Sequence, residues 1–237
     1  MKFAQALITL LFSSIFIGCS SDSNPEIPDS NPIVNLKYLA LGDSYTIGQS
    51  VCETCKFPTQ LKDSIQKDLT ENTVLQTRVI ALTGWTTSDL KATLIQQNPP
   101  NDFDLVTLLI GVNNQYQNRP FSLYEDEFPD LLNRAITLAK GDKNNVIVLS
   151  IPDYAYTPFG QGSSNPQTIS TQIDMYNLFA ENYCIQNNVA FFNITDITRQ
   201  GLENPTLVAG DGLHPSKTAY SKFVERLLPK VRTILNP

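Results

Sequence analysis

The chain has 237 residues, of which 41% are hydrophobic and 17% are charged, and this composition is typical of a soluble globular domain rather than a disordered or fibrous chain. No repeat of about 20 to 50 residues runs along it, which excludes a solenoid. The 17 basic and 23 acidic residues give a formal net charge of −6 and are interspersed. This balance argues against a surface that binds nucleic acid or an anionic membrane.

Residues 1–18 have the pattern of an export signal. Lys2 precedes an apolar run from Phe3 to Ile17 that is too short for a comfortable membrane span. The run ends in "FIGC", which resembles the lipobox of bacterial lipoproteins, although Phe16 stands where leucine is usual. The resemblance implies cleavage before Cys19 and a lipid on that cysteine. We therefore expect an exported protein anchored to the bacterial envelope, at the outer membrane if the host has one; a plain signal peptide cut elsewhere is the alternative.

Residues 19–35 are predicted to form a linker, because Cys19 is followed by "SSDSNPEIPDSNP", which is rich in Ser, Asp, Asn and Pro and contains almost nothing apolar. Such a segment cannot bury enough surface to fold and is typical of an extended tether. The folded domain is predicted to cover residues 36–237.

Along this domain, short apolar runs alternate with longer amphipathic stretches. The predicted strands are Lys37 to Leu41, Val74 to Leu82, Leu105 to Ile110, Val146 to Ile151 and Ala190 to Asn193. The predicted helices are Phe57 to Leu69, Ser88 to Gln97, Ser122 to Lys140, Ser170 to Asn187 and Ser216 to Leu235. Strands that alternate with helices predict a parallel sheet covered on both faces, a three-layer α/β/α sandwich.

Two helix starts carry capping signals. Thr86, Thr87 or Ser88 can cap the second helix, and Ser122 with Glu125 has the spacing of a capping box for the third. The longest predicted loop, from Pro152 to Gln167, holds two tyrosines and a phenylalanine. A loop of this size more often contributes to function than merely connects two elements.

Three cysteines follow Cys19. Since an exported protein meets an oxidising compartment, Cys52 and Cys55 are predicted to form a disulfide. A thioredoxin-like redox pair and a zinc site are weaker alternatives, and zinc is the weakest because His214 is the only histidine. Cys184 shares a helical face with apolar residues and is predicted to lie in the core.

In a parallel sheet, ligands bind beyond the carboxyl ends of the strands. Ser44 follows the first predicted strand, Gly84 the second and Asn113 the third, while Asp211 and His214 lie just before the last helix. We therefore expect these five residues to meet at one edge of the sheet.

These residue types suit acyl transfer. A serine alcohol needs a base to take its proton, and His214 is the only imidazole available to Ser44. Asp211 can accept a hydrogen bond from Nδ1 of that ring, and this bond fixes the tautomer. The backbone N–H groups of Ser44 and Gly84 and the Asn113 amide are candidate donors to an oxyanion. No metal or organic cofactor is required.

The same residues lie in four segments, "GDSYTIG", "TGW", "IGVNNQ" and "DGLHP", which resemble, in order, the four conserved blocks of the SGNH hydrolases, also called GDSL esterases and lipases. The resemblance covers the chain from Leu36 onward. It implies a flavodoxin-like five-stranded parallel sheet, a Ser44, Asp211 and His214 triad, and an oxyanion hole of Ser44, Gly84 and Asn113. One position departs from the family pattern, because Asn114 stands where the third block usually has aspartate.

Each segment alone has a simpler interpretation as a turn or a helix cap, and only the four together favour a catalytic site. The α/β-hydrolase elbow G-x-S-x-G is excluded, because Tyr45 and Thr46 follow Ser44 and the second glycine is missing. Trp85 is consistent with either substrate contact or packing.

The sequence therefore predicts a serine esterase that cleaves carboxylic esters through an acyl-enzyme. Its expected substrates are small molecules or glycans that carry short-chain acyl or O-acetyl groups. The alternative is a non-catalytic lipoprotein of the same fold that binds carbohydrate at the cell surface.

Overall fold

The computed structural model describes residues 32–235. The predicted signal, Cys19 and the tether up to residue 31 lie outside the described residues. Among the helices of the described part, none has the length and hydropathy needed to span a bilayer.

The described chain forms one five-stranded sheet in which every neighbouring pair of strands is parallel. The strands are β1 (Val34–Gly42), β2 (Thr73–Ala81), β3 (Leu105–Leu109), β4 (Val146–Leu149) and β5 (Ala190–Phe192), in the order β2-β1-β3-β4-β5. This is the flavodoxin-like order. All five predicted strands are present, and the predicted fold class is confirmed.

Helices cover both faces of the sheet. They are α1 (Ser44–Ile47), α2 (Phe57–Gln66), α3 (Thr87–Gln97), α4 (Val112–Tyr116), α5 (Phe121–Leu138), α6 (Pro158–Gln161), α7 (Pro166–Asn187), α8 (Thr195–Thr198) and α9 (Lys217–Leu235). The pair α2 and α9 pack together on one face, and α3, α5 and α7 pack in succession on the other.

Hydrophobic periodicity explains this arrangement. All five residues of β3 are apolar or threonine and are buried, as expected for a central parallel strand covered on both faces. In α2, Phe57, Leu61 and Ile65 recur every four residues and are fully buried. Each element therefore buries the face that its sequence makes apolar.

Helix starts differ in part from the predictions. Thr86 caps α3 and forms a capping box with Asp89. The predicted Ser122 cap is wrong, because α5 begins one residue earlier, at Phe121, and Pro120 precedes it without a side-chain cap.

The strand order places a crevice between β1 and β3. The chain leaves β1 to form β2 on one side and later returns to the other side of β1 as β3. In open parallel sheets, ligands bind at such a switch point, beyond the carboxyl ends of the strands. Ser44 follows β1 and Asn113 follows β3, so the two residues flank this point.

Candidate active site

A tight turn of Gly42, Asp43 and Ser44 ends β1. A β-carbon on Gly42 would lie 2.1 Å from Thr46 Oγ1 and 2.3 Å from the carbonyl oxygen of Leu109, so only glycine fits there. Asp43 caps α1, since its Oδ1 accepts a hydrogen bond of 3.0 Å from the backbone N–H of Tyr45. Ser44 is thereby placed as the first residue of α1, at the edge of the crevice.

The Asp43 carboxyl is fully buried, and its Oδ2 has no hydrogen-bond partner among the described residues. Burial raises the pKa of Asp43 to about 7, against the smaller opposing effect of the backbone hydrogen bonds. The folded protein therefore keeps a proton that the unfolded chain releases above about pH 4. Ionisation of this carboxyl therefore lowers the free energy of unfolding as the pH rises from about 4 to about 7. Above about pH 7 the carboxyl is ionised in both states, and it causes no further decrease.

We expect Asp43→Asn, which does not titrate, to remove this dependence. The free energy of unfolding of the wild type should fall, relative to the variant, by about 1.4 kcal/mol for each pH unit between about pH 4 and 7. Urea unfolding at several pH values across this range measures the difference. Parallel curves for the two proteins would contradict the assignment.

His214 and Asp211 form a hydrogen-bonded pair before α9. The Nδ1 atom of His214 lies 2.6 Å from Asp211 Oδ2, while Asp211 Oδ1 accepts the backbone N–H groups of Leu213, at 2.9 Å, and His214, at 3.0 Å. The aspartate therefore fixes its own turn with one oxygen and the imidazole with the other. This geometry favours the tautomer that leaves Nε2 free to accept a proton.

Ser50 is a further partner of this pair that sequence reasoning missed. Its hydroxyl donates a 2.6 Å hydrogen bond to Asp211 Oδ2, the oxygen that also contacts the ring. Partial burial works to raise the pKa of Asp211, but the hydrogen bonds from Ser50, His214 and the backbone outweigh it and hold this pKa well below its usual range. Asp211 is therefore an anion at neutral pH.

The backbone N–H groups of Ser44 and Gly84 and the side-chain amide of Asn113 are the candidate donors to an oxyanion. Among the described residues, neither the Ser44 N–H nor the Gly84 N–H has a protein acceptor. Gly84 adopts φ +84°, in the region that favours glycine. The Asn113 amide donates one hydrogen bond of 2.9 Å to the carbonyl oxygen of Trp85, which leaves its second N–H for a ligand. Three donors suited to an oxyanion are thus present.

Four of the five predicted residues line one cavity of about 240 Å³, and the fifth, Asp211, lies behind His214 and holds its ring without lining the cavity. Ser44, Gly84, Asn113 and His214 all contribute to its wall, together with Tyr45, Thr83, Val112, Tyr116, Tyr154, Phe159 and Leu213. No direct hydrogen bond joins the Ser44 hydroxyl to the His214 ring. Such bonds commonly tighten only when substrate is bound. The cavity brings an alcohol, an imidazole with its aspartate, and the candidate oxyanion donors together.

The sequence pattern of the GDSL-like lipase/acylhydrolase family matches residues 40–222 and so includes every one of these site residues. The chain belongs to this family. The protein is therefore a hydrolase, and the SGNH (GDSL) resemblance seen in the four segments is confirmed. No curated protein matches the chain by sequence.

Solved structures of other hydrolases share the fold at low identity. A lipase from the goat rumen metagenome is 20% identical, with a TM-score of 0.62, and the match covers 84% of this chain and 97% of that one. A lipase/acylhydrolase from Enterococcus faecalis is 19% identical, with a TM-score of 0.61 and coverage of 84% and 96%. An acetylxylan esterase from Geobacillus stearothermophilus is 17% identical, with a TM-score of 0.56 and coverage of 84% and 95%.

Asn114, which departs from the family pattern, is fully buried in a network with Thr87 and Glu127. Its Oδ1 accepts the Thr87 N–H at 3.0 Å, and its Nδ2 donates to Thr87 Oγ1 at 2.6 Å. The same hydroxyl donates to Glu127 Oε2 at 2.5 Å. The Thr87 hydroxyl has a single hydrogen, which it donates to Glu127, so it can only accept a hydrogen bond from residue 114. Asparagine can donate this bond, whereas an ionised aspartate cannot.

We expect Asn114→Asp to lower the free energy of unfolding at pH 7 by about 2 to 3 kcal/mol. It would remove a buried hydrogen bond and place a second carboxylate near Glu127. Urea denaturation measures the change. The double variant Asn114→Asp with Glu127→Gln should recover most of the loss, and equal stability of Asn114→Asp and the wild type would contradict the assignment.

A larger groove of about 880 Å³ adjoins the first cavity. Tyr116, Tyr154 and Phe159 line both. The rest of the groove is lined by residues without charge, most of them from the predicted functional loop and α7: Gln115, Asn118, Pro158, Gly160, Gly162, Ser163, Ser164, Asn165, Thr168, Ile169 and Gln172. The loop from Pro152 to Gln167 therefore shapes the approach to Ser44.

The cysteines and Trp85 lie outside this cavity. Cys52 and Cys55 are joined by a disulfide, and Cys184 is a buried free thiol. Trp85 packs against the hydrophobic core, and its carbonyl oxygen holds Asn113. In the part of the chain that the structure describes, no three His, Cys, Asp or Glu side chains are grouped as metal ligands.

Proposed function

We propose that the protein is a serine esterase that hydrolyses short acyl esters, with O-acetyl groups on neutral carbohydrates as its preferred substrates. The observation that carries the proposal is the shared cavity of Ser44 and His214, the latter held by Asp211 through a 2.6 Å contact.

In the proposed mechanism, Ser44 Oγ attacks the ester carbonyl carbon while His214 Nε2 takes the hydroxyl proton. The Ser44 and Gly84 N–H groups and the Asn113 amide bind the resulting oxyanion. When the intermediate collapses, His214 gives the proton to the departing alcohol and an acyl group remains on Ser44. Water then attacks this acyl-enzyme with His214 again as base, and the carboxylic acid leaves.

The size of the cavity supports a short acyl group. Its volume of about 240 Å³ lies below the range of about 300 to 1,000 Å³ that is usual for pockets of drug-sized ligands. Long acyl chains would have to extend beyond it.

The adjoining groove supports a carbohydrate as the alcohol part of the ester. Its amides and hydroxyls can exchange hydrogen bonds with sugar hydroxyls, and Tyr116, Tyr154 and Phe159 offer apolar faces beside the reacting bond. Since no charged residue lines the groove, a neutral glycan fits better than an acidic one. The acetylxylan esterase among the structural neighbours acts on a substrate of this kind.

A fluorophosphonate probe tests the mechanism directly, since it labels an activated serine by displacement of fluoride. We expect a single adduct, located on Ser44 by peptide mass spectrometry, together with hydrolysis of p-nitrophenyl acetate. Absence of both would favour the alternative, a surface protein that binds carbohydrate without cleaving it.

A substrate panel tests the specificity. The value of kcat/KM should be highest for acetyl esters, lower for butyryl and lowest for octanoyl, and higher for acetylated xylan than for acetylated pectin. The variant Ser164→Trp, which fills the groove, should lose activity on acetylated xylan and keep activity on p-nitrophenyl acetate. A preference for octanoyl esters would contradict the proposed short-chain specificity.

We also propose that the enzyme is exported and anchored by lipid on Cys19, as the sequence of residues 1–35 predicts. Mass spectrometry of the mature protein from cells should find an acylated N-terminal Cys19. A free N-terminus at another residue would contradict the anchor.

A further inference from the structure

The chain segment that follows α1 contacts two other parts of the site. Gln49 Oε1 accepts a 2.7 Å hydrogen bond from Thr83 Oγ1, and the next residue, Ser50, donates to Asp211 Oδ2 at 2.6 Å. Thr83 lines the catalytic cavity beside Gly84, and Asp211 holds His214. The corner formed by Gln49 and Ser50 therefore connects the segments that carry the proposed nucleophile, oxyanion donor and base.

The hydrogen bond from Ser50 is placed where it can orient the catalytic pair. Asp211 Oδ1 is held by two backbone N–H groups, whereas Ser50 and the His214 ring are the only donors to Oδ2 among residues 32–235. Without Ser50, the only remaining protein donor to Oδ2 would be the ring that this oxygen has to orient. The hydroxyl therefore gives Asp211 a fixed rotation that is independent of the imidazole.

The backbone conformation of Ser50 indicates that its side chain has a specific role. Its φ is +65°, in the left-handed region where a β-carbon costs energy and where glycine is favoured. A serine occupies the position nevertheless, and its exposed hydroxyl is used for the bond to Asp211.

The disulfide lies immediately beyond this corner and fixes it. Cys52 and Cys55 close a loop in which the Cys55 N–H donates to the Cys52 carbonyl oxygen at 2.8 Å. Gln60 of α2 donates to the Cys55 carbonyl oxygen and accepts a 2.8 Å hydrogen bond from Ser221 of α9. The bridge thus joins the corner that holds Ser50 to the packed pair α2 and α9.

We propose that Ser50 is a positioning residue for the Asp211 and His214 pair, and that the bridge between Cys52 and Cys55 supports catalysis through Ser50. This inference rests on the proposed function. It gives the disulfide a role in turnover.

The variant Ser50→Gly separates positioning from structure, because it removes the hydroxyl and relieves the backbone. We expect kcat for p-nitrophenyl acetate to fall about tenfold, the effect of one hydrogen bond, with KM unchanged and stability to urea equal or higher. Ser50→Asn, which tolerates positive φ and keeps a side-chain donor, should recover part of kcat. A wild-type kcat in Ser50→Gly would overturn the proposal.

Asn188→Gly is the matched backbone control. Asn188 also has a positive φ, of 55°, but it lies between the end of α7 and the start of β5. It is therefore at the amino ends of the strands, whereas the site is at their carboxyl ends. This variant should keep the wild-type kcat. An equal loss of kcat in Asn188→Gly and Ser50→Gly would overturn the specific role of Ser50.

A double-mutant cycle tests the disulfide. The variant Cys52→Ser with Cys55→Ser should lose about threefold to tenfold in kcat, and should lose almost nothing further in the Ser50→Gly background, because both changes act on the same hydrogen bond. Independent, multiplicative losses would overturn the link between bridge and Ser50.

The variant Ser44→Ala distinguishes a failure of the proposed function from a failure of the positioning role of Ser50. If it keeps the wild-type rate, the proposed function itself is wrong. If it is inactive while Ser50→Gly is fully active, only the positioning role is wrong.

Discussion

Replacing Ser44 with alanine is expected to lower kcat for p-nitrophenyl acetate by about 10⁵ to 10⁶-fold, the loss usual when a serine hydrolase loses its nucleophile. No other group in the cavity can take over the attack. The other hydroxyl groups of the wall belong to Thr83, Tyr45, Tyr116 and Tyr154. Thr83 donates its proton to Gln49 and Tyr154 donates its proton to Gln115. Tyr45 does lie beside the His214 ring, with ring centroids 5.3 Å apart, but burial raises the pKa of its phenol well above the usual value, which makes it a poor nucleophile.

The same variant should fold normally. The Ser44 hydroxyl makes no hydrogen bond to the described part of the protein, and the helix cap beside it is provided by Asp43. Removing one oxygen atom therefore should change the free energy of unfolding by less than about 0.5 kcal/mol. Circular dichroism and urea unfolding check the fold, and Ser64→Ala, on α2 and away from the cavity, is the control for kcat. Activity in Ser44→Ala within tenfold of the wild type would contradict the nucleophile assignment.

The fold was predictable because local pattern and tertiary packing agree. The central strands β3 and β4 are short and largely apolar, the buried second half of β1 is apolar from Tyr38 to Leu41, and the packed helices carry apolar residues every three or four positions. Where two residue choices compete, the prediction is weaker. The sequence predicts Ser122 as the cap of α5. Pro120, two residues before it, fixes its own φ, and the helix starts directly after it, at Phe121.

The candidate site was predictable where its residues follow strand ends, because parallel strands bring those ends to one edge. Ser44 and Asn113 are examples, and both line the same cavity. The role of Ser50 was not predictable. It lies 161 residues from Asp211 in the chain, and no local pattern links a serine in a surface turn to that distant carboxylate.

The shape of the groove could not be predicted from the sequence either. The loop from Pro152 to Gln167 was predicted to be functional, but its conformation depends on contacts made after folding. Gly160 packs so closely on Tyr154 that a β-carbon would lie 1.9 Å from the carbonyl oxygen of that residue. This contact fixes α6 against the preceding turn and places Phe159 at the boundary of the two cavities.

Replacing Asp211 with asparagine is expected to lower kcat by about 10⁴-fold through a change of histidine tautomer. Four donors surround the carboxylate: two backbone N–H groups at Oδ1, and Ser50 with His214 at Oδ2. The backbone donors cannot become acceptors, so the amide oxygen of the variant must stay with them and its NH₂ must face the ring. His214 would then have to accept at Nδ1 and carry its proton on Nε2, where it cannot take a proton from Ser44.

The tautomer can be measured without ambiguity, because His214 is the only histidine in the chain. Nitrogen NMR of histidine-labelled protein at alkaline pH should show the proton on Nδ1 in the wild type and on Nε2 in Asp211→Asn. Asp196→Asn, which alters an exposed carboxylate that pairs with Arg226, is the control and should change neither signal nor kcat. If the proton stays on Nδ1 in Asp211→Asn while kcat still falls 10⁴-fold, the aspartate acts by charge alone, and the orienting role derived from its four hydrogen bonds is wrong.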